Sequence, residues 1–78
     1  MSRPAGRKAV ERAILVEALT GATRTELWLA ARMASRFVTT DQVDQIVNKL
    51  LAAGYLRQTA NRWTTTTKGR ARLDRSTA

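Results

Sequence analysis

Apolar and polar positions along the chain change their period repeatedly, and each change marks an element. Between Arg7 and Leu19 the apolar residues Val10, Ala13, Ile14, Ala18 and Leu19 recur at three- and four-residue spacing, which predicts one face of an amphipathic helix. Gly21 stops it. Thr23 followed three residues later by Glu26 is the spacing of a capping box, in which each side chain satisfies an orphan amide of the first turn. It opens a second helix with Leu27, Ala30, Ala31 and Ala34 inward, and the small Ala residues permit close approach of a crossing helix. Residues 33–38 then turn the chain, with Phe37 or Val38 as a core plug. A second capping box, Thr39 with Gln42, starts a third helix from about Thr40 to Ala53, with Val43, Ile46, Val47, Leu50 and Leu51 inward and Gly54 as its C-cap.

After Gly54 the residues become aromatic and β-branched. Tyr55–Thr59 and Arg62–Thr65 flank Ala60-Asn61, and Asn61 tolerates the left-handed conformation of a tight turn, so a β-hairpin is expected with Leu56 and Trp63 inward. Thr66 caps a last short helix, Lys68 to about Asp74, before a frayed tail at 75–78. Residues 1–6 read as a flexible basic arm. No linker or repeat divides the chain, so residues 1–78 are one domain.

Two capped helices joined by a short turn form a helix-turn-helix. With the hairpin following, the order is that of the winged helix-turn-helix: α+β, mainly α, with three helices, a two-stranded β-hairpin wing and a short C-terminal helix. The run Ile46-Val47-Asn48-Lys49-Leu50-Leu51-Ala52-Ala53-Gly54-Tyr55-Leu56 resembles the end of the third helix and the first wing strand in bacterial winged-helix regulators of the MarR and PadR type. Trp63-Thr64-Thr65-Thr66-Thr67-Lys68-Gly69 is similar to their next pattern, an aromatic, a Leu-Thr pair, then Lys-Gly. The resemblance covers residues 23–73 and implies a DNA-binding module. Thr65 stands where the family usually has Leu, which predicts a weaker anchor for the second strand. The chain has no long extra helix for those regulators' usual dimer interface, and no room for a ligand pocket or sensor domain.

Charge sharpens the expectation about partners. The 78 residues carry 14 basic and 6 acidic side chains, a formal net charge of +8, which attracts polyanions. All of it sits at the two ends. Arg3, Arg7, Lys8 and Arg12 face only Glu11 at one end; Arg57, Arg62, Lys68, Arg70, Arg72 and Arg75 face only Asp74 at the other. Between them, Arg24, Arg32, Arg36 and Lys49 balance Glu17, Glu26, Asp41 and Asp44. Solubility alone is the competing explanation for basic ends.

Double-stranded DNA is the expected partner. The resemblance puts the third helix in the major groove, where its outward side offers Thr40, Gln45, Asn48 and Lys49. Gln45 and Asn48 can pair bidentately with adenine, and Lys49 can reach guanine or a phosphate. Asp41 and Asp44 suit the first turns of a helix but repel phosphate, and any solvated helix shows such a face. Phosphate clamps are expected on the wing, at Arg57, Gln58, Thr59, Asn61 and Arg62, and at the turn and termini, at Ser35, Arg36, Arg3, Arg7, Lys8, Lys68, Arg70 and Arg72. The role is a small transcriptional regulator or a phage- or plasmid-type DNA accessory factor.

Trp28 and Leu29 cannot both share the inward stripe with Leu27, so one is covered by a terminal segment or meets another chain. This leaves a winged-helix protein-interaction module as the alternative, with a homodimer or protein partner on the Trp28 surface. Cys and His are absent, which removes disulfides and the commonest zinc ligands, and no carboxylate, Ser or Lys has an activating partner by motif. No enzyme activity, cofactor, metal, small-molecule substrate or membrane partner is therefore expected, and the chain reads as cytoplasmic.

Overall fold

A computed structural model describes residues 7–77, with side chains as far as residue 75. Its elements are α1 (Arg7–Glu17), a 3₁₀ turn (Ala18–Thr20), α2 (Arg24–Ala34), α3 (Thr40–Ala52), β1 (Leu56–Thr59), β2 (Arg62–Thr65) and α4 (Thr67–Thr77). The class is α+β, mainly α, with one two-stranded antiparallel hairpin and a C-terminal helix, in the order the sequence predicts. Both capping boxes form. Thr23 Oγ1 accepts from Glu26 N (3.3 Å) while Glu26 Oε1 accepts from Thr23 N (2.8 Å). Thr39 Oγ1 accepts from Gln42 N (3.1 Å) while Gln42 Oε1 accepts from Thr39 N (3.0 Å). Each cap fixes where its helix starts and stabilises it by about 1 kcal/mol.

Val10, Ile14, Leu15 and Ala18 from the first helix, Leu27 and Ala31 from α2, and Val43, Ile46, Val47 and Leu50 from α3 form one core, closed by Ala22, Leu56 and Leu73. The first helix departs from expectation at its end. It tightens after Glu17 into the 3₁₀ turn, and Gly21, at φ 84°, donates to Ala18 O (3.1 Å) to finish it. The change of pitch turns Leu19 outward; Ala13, expected inward, is half-buried. Leu15 is buried instead, because β2 and α4 cover the side of α1 that carries it.

The α2–α3 turn chooses between its two candidate plugs. Val38 is half-buried against the core, whereas Phe37 is 85% exposed. Ala30, Ala34 and Leu51, expected inward, are half-buried.

The hairpin pairs Leu56 with Thr65, Arg57 with Thr64, Gln58 with Trp63 and Thr59 with Arg62, leaving the two-residue loop Ala60-Asn61. The positive φ falls at Ala60 (53°), not at Asn61. A two-residue loop with positive φ at its first position only is the type II′ pattern, whose twist matches the strands. Leu56 is buried, and Trp63 is half-buried against the core. A further bridge, which alternation in the sequence did not announce, ties β2 to the α1–α2 connection. Ala22 N donates to Trp63 O (2.9 Å) and Trp63 N to Ala22 O (2.8 Å).

Thr65 is no weak anchor. It is buried, and its hydroxyl donates to Leu15 O at 2.6 Å. Leu15 lies in the last turn of α1, where carbonyls lack intrahelical partners. A Leu at residue 65 cannot supply that bond.

The final helix runs to Thr77, so residues 75–77 of the expected tail are helical, while residues 1–6 and Ala78 lie outside the described residues. The extension has a packing cause, since buried Leu73 holds the later turns to the core. Thr66 caps α4 by accepting from Gly69 N (3.1 Å) and also seals the end of α3, its hydroxyl donating to Gly54 O (2.6 Å) and its amide to Tyr55 O (3.0 Å). Gly69 is required by this crossing: a Cβ there would sit 2.3 Å from Tyr55 O and 2.7 Å from Thr65 Cγ2.

Candidate nucleic-acid interface

Four hydrophobes on one side of α3 fix which residues point away. With Val43, Ile46, Val47 and Leu50 buried, Thr40, Asp41, Gln45, Asn48, Lys49 and Ala52 are exposed. Gln45, Asn48 and Ala52, at three- and four-residue spacing, form one exposed strip whose polar members are Gln45 and Asn48, with Lys49 on its flank. The Asp residues behave differently from one another. Asp44 pairs with Arg24 at the start of α2, 2.5 Å apart, so its charge is offset at the helix crossing, while Asp41 stays exposed in the first turn. An exposed pair of this kind stabilises by less than about 1 kcal/mol.

Next to this strip stands the hairpin. Strand alternation gives Arg57, Thr59, Arg62 and Thr64 one face and Leu56, Gln58, Trp63 and Thr65 the other. Arg57, Gln58, Thr59, Asn61 and Arg62 are all exposed, as expected of a polar wing. An open groove of about 380 Å³ separates hairpin from helix. Asn48 and Asp44 line it from α3, Gln58 and Trp63 from the hairpin, and Arg24 from α2. Arg62 also acts on the first turn of α2: the Glu26 carboxyl is held below its ordinary range, chiefly by hydrogen bonding to the Thr23 backbone and side chain, with a smaller attraction from Arg62.

The basic termini divide in a way the sequence does not reveal. Lys68 Nζ donates to Ala53 O (2.8 Å), at the C-terminus of α3, and lies 5.2 Å from the Tyr55 ring centroid. A cation on terminal helix carbonyls is a structural latch. Arg72 lies 5.0 Å from the same ring and pairs with Glu11 (3.4 Å), whose other partner is Arg7 (3.8 Å). Lys68, Arg72 and Arg7 are thus engaged with partners within the fold. Lys8 lines a separate cleft between α1 and α4, together with Lys68 and Arg72. Arg70 is exposed on α4. Arg3 lies outside the described residues.

At the turn, Arg36 is exposed, but half-buried Ser35 serves as the C-cap of α2, its N–H donating to Ala31 O (2.9 Å). Sequence reasoning passed over Arg24, because its link to Asp44, 20 residues away, has no local signal. It also passed over Arg12 as a site residue, although its four-residue spacing to Lys8 was visible, whereas Arg75 was expected to cluster with Lys68, Arg70 and Arg72 on the last helix.

Trp28 is half-buried against the core with Arg32 5.0 Å above its ring, and its Nε1 is buried without a hydrogen-bond partner, as is that of Trp63. The exposed apolar residues on α2 are instead Leu29 and Met33, at 52% and 89% exposure. Among the described residues there is no cluster of metal-ligating side chains, and no helix is long and apolar enough to cross a membrane. Compared with protein-family models and with characterised proteins, the chain gives no match.

Proposed function

We propose that the chain is a winged helix-turn-helix module that binds double-stranded DNA, with α3 in the major groove and the β1–β2 hairpin on the flanking backbone or minor groove. One observation carries this reading. The exposed α3 strip of Gln45 and Asn48 stands beside the hairpin, Asn48 and Gln58 lining one groove, while the cations Arg57 and Arg62 are exposed on the other face of the same hairpin. Gln45 and Asn48 are of the type that pairs with adenine, and Lys49, Arg36, Arg57 and Arg62 supply phosphate contacts around them. The Arg24–Asp44 pair supports the reading by offsetting an anion at the edge of this surface. The biological setting we propose is cytoplasmic, as a small transcriptional regulator or a phage- or plasmid-type DNA accessory factor, with no catalytic role.

Fluorescence anisotropy on a duplex of arbitrary sequence, read at several salt concentrations, tests this. Phosphate contacts from Lys49, Arg36, Arg57 and Arg62 give a log–log slope of roughly −3 to −4 by counterion release. Replacing Arg57 and Arg62 by Ala reduces the slope by about 1 each. Absence of binding at low salt, or an unchanged slope in the double variant, overturns the reading.

A second reading has its own observation. Leu29, Met33 and Phe37 are exposed on α2 and the following turn, which favours a protein-interaction module using the Trp28-bearing helix. Association that survives the Arg57 and Arg62 substitutions but is lost in Met33→Ser/Phe37→Ser supports it over DNA binding.

A further inference from the structure

The cleft between α1 and α4 gathers more positive charge than the fold uses. It has a volume of about 310 Å³, with Lys8 and Arg12 on one wall and Lys68, Arg72 and Arg75 on the other. Lys8 and Arg12 are four residues apart on α1; Lys68, Arg72 and Arg75 follow at four- and three-residue spacing on α4. Neighbours at these spacings lie on one side of a helix, so each wall is a row of like charges, an arrangement that destabilises a helix when nothing offsets it. Glu11 is the one carboxylate among the described lining residues, and it is turned inward, its side chain 13% exposed between Arg7 and Arg72. The side chains of Lys8, Arg12 and Arg75 make no hydrogen bond or ion pair to another described residue.

We propose that this cleft is an anion site for a small polyphosphate, the triphosphate group of a nucleotide or free tripolyphosphate. The volume lies at the lower end of what ligand pockets offer, so the concavity admits a compact anion but not a duplex. Two facing rows of cations suit a ligand carrying several negative charges along a short chain, and Arg12 and Arg75 supply forked donors for its oxygens. Tyr55, at the end of the cleft, already carries Lys68 and Arg72 on its ring, so recognition falls on the phosphates and not on a stacked base. Binding offsets the repulsion within each row and therefore stabilises the folded chain. The inference is independent of the DNA reading, since it uses neither the α3 strip nor the hairpin.

Calorimetry and thermal melts with sodium tripolyphosphate, ATP and AMP, against sodium sulfate at equal ionic strength, test it. At ten times its Kd, tripolyphosphate raises Tm by roughly 5–10 °C. ATP binds as tightly as tripolyphosphate, which identifies the triphosphate as the recognised group, and AMP binds weakly; AMP binding as tightly as ATP overturns the proposal. In Arg12→Gln/Arg75→Gln, whose side chains have no carboxylate to release, the circular dichroism spectrum is unchanged and affinity falls tenfold or more. Arg57→Gln/Arg62→Gln leaves it unchanged. The proposal is overturned if sulfate stabilises equally, if the hairpin variant loses binding as the cleft variant does, or if a short duplex displaces tripolyphosphate. Tripolyphosphate binding without duplex binding would sink the DNA reading and leave this one standing.

Discussion

Gly69→Ala sets two physical effects of opposite sign against each other. Gly69 lies in the first turn of α4, and by helix propensity alone Ala would stabilise that helix by about 1 kcal/mol. The crossing forbids the added methyl. Its carbon would stand 2.3 Å from Tyr55 O, 2.7 Å from Thr65 Cγ2 and 3.2 Å from Tyr55 C, and two of these atoms belong to backbone that cannot swing aside. Restoring ordinary contact requires α4 to lift by roughly 1 Å, an overpacking strain of about 1–3 kcal/mol. The lift also stretches the bonds from Thr66 N to Tyr55 O, Thr66 Oγ1 to Gly54 O and Lys68 Nζ to Ala53 O, each worth about 1 kcal/mol when intact. The net expectation is a loss of about 2–3 kcal/mol, much of what so small a core supplies. In thermal and urea unfolding followed by far-UV circular dichroism and Trp fluorescence, Tm falls by roughly 10–20 °C. A variant that melts at or above the parent would refute the reasoning. Propensity would then have won, and the α3–α4 crossing would be free to relax.

Other consequences can be measured on the same instruments. Ala60→Gly relieves a positive φ of 53° at the exposed hairpin tip and stabilises by about 0.5–1 kcal/mol, read as a Tm rise of a few degrees; a fall would show that turn strain is not the controlling term there. Thr65→Val keeps the shape but removes the donor to Leu15 O, costing about 1 kcal/mol and lowering Tm by roughly 4–8 °C, whereas an unchanged Tm would make that hydrogen bond idle. Glu26 has a lowered pKa in the folded state, so its stabilising effect is complete above the unfolded value near 4.5 and is lost as pH falls through the lower folded value. Denaturant midpoints of Glu26→Gln should therefore fall less steeply than the parent's below about pH 5, and parallel curves would contradict the sign.

Local signals carried most of the fold. Thr23 with Glu26 and Thr39 with Gln42 are complete within four residues, so both helix starts were readable, and both boxes form. The same holds for Gly54, whose φ of 84° is that of a helix-ending glycine. What the sequence hid depends on distant partners. Leu15 is buried because β2 and α4 pack on it, Thr65 anchors a strand through a carbonyl 50 residues away, and Ala22 joins β2 across 41 residues. Phe37 and Val38 are equally apolar neighbours, and only the geometry of the turn decides that Val38 is covered. For the candidate interface, exposure of Thr40, Gln45, Asn48 and Lys49 followed from the helical period, and exposure of Arg57 and Arg62 from the hairpin. The separation of the remaining cations did not, because composition counts charges without saying what each one faces.

That separation changes what a net charge of +8 means. As a sequence, the two basic ends look like a single reservoir for phosphate. Folded, the ends are brought together at the α1–α4 cleft, and their cations take different roles. Lys68 holds the C-terminus of α3, and Arg72 joins α4 to α1 through Glu11, while both rest on Tyr55. Lys8, Arg12 and Arg75 stand around the cleft without carboxylate partners among the described residues, and Arg57 and Arg62 stand apart on the hairpin. A duplex that lies on α3 and the hairpin meets only the last group together with Lys49 and Arg36. The counterions it releases are therefore fewer than the charge count suggests, which is why the expected salt slope is near −3 to −4 and not the larger value that all the basic residues of both ends would give. Charge in this chain is divided between holding helices together and meeting anions, and the division is made by which carbonyl, ring or carboxylate each cation reaches.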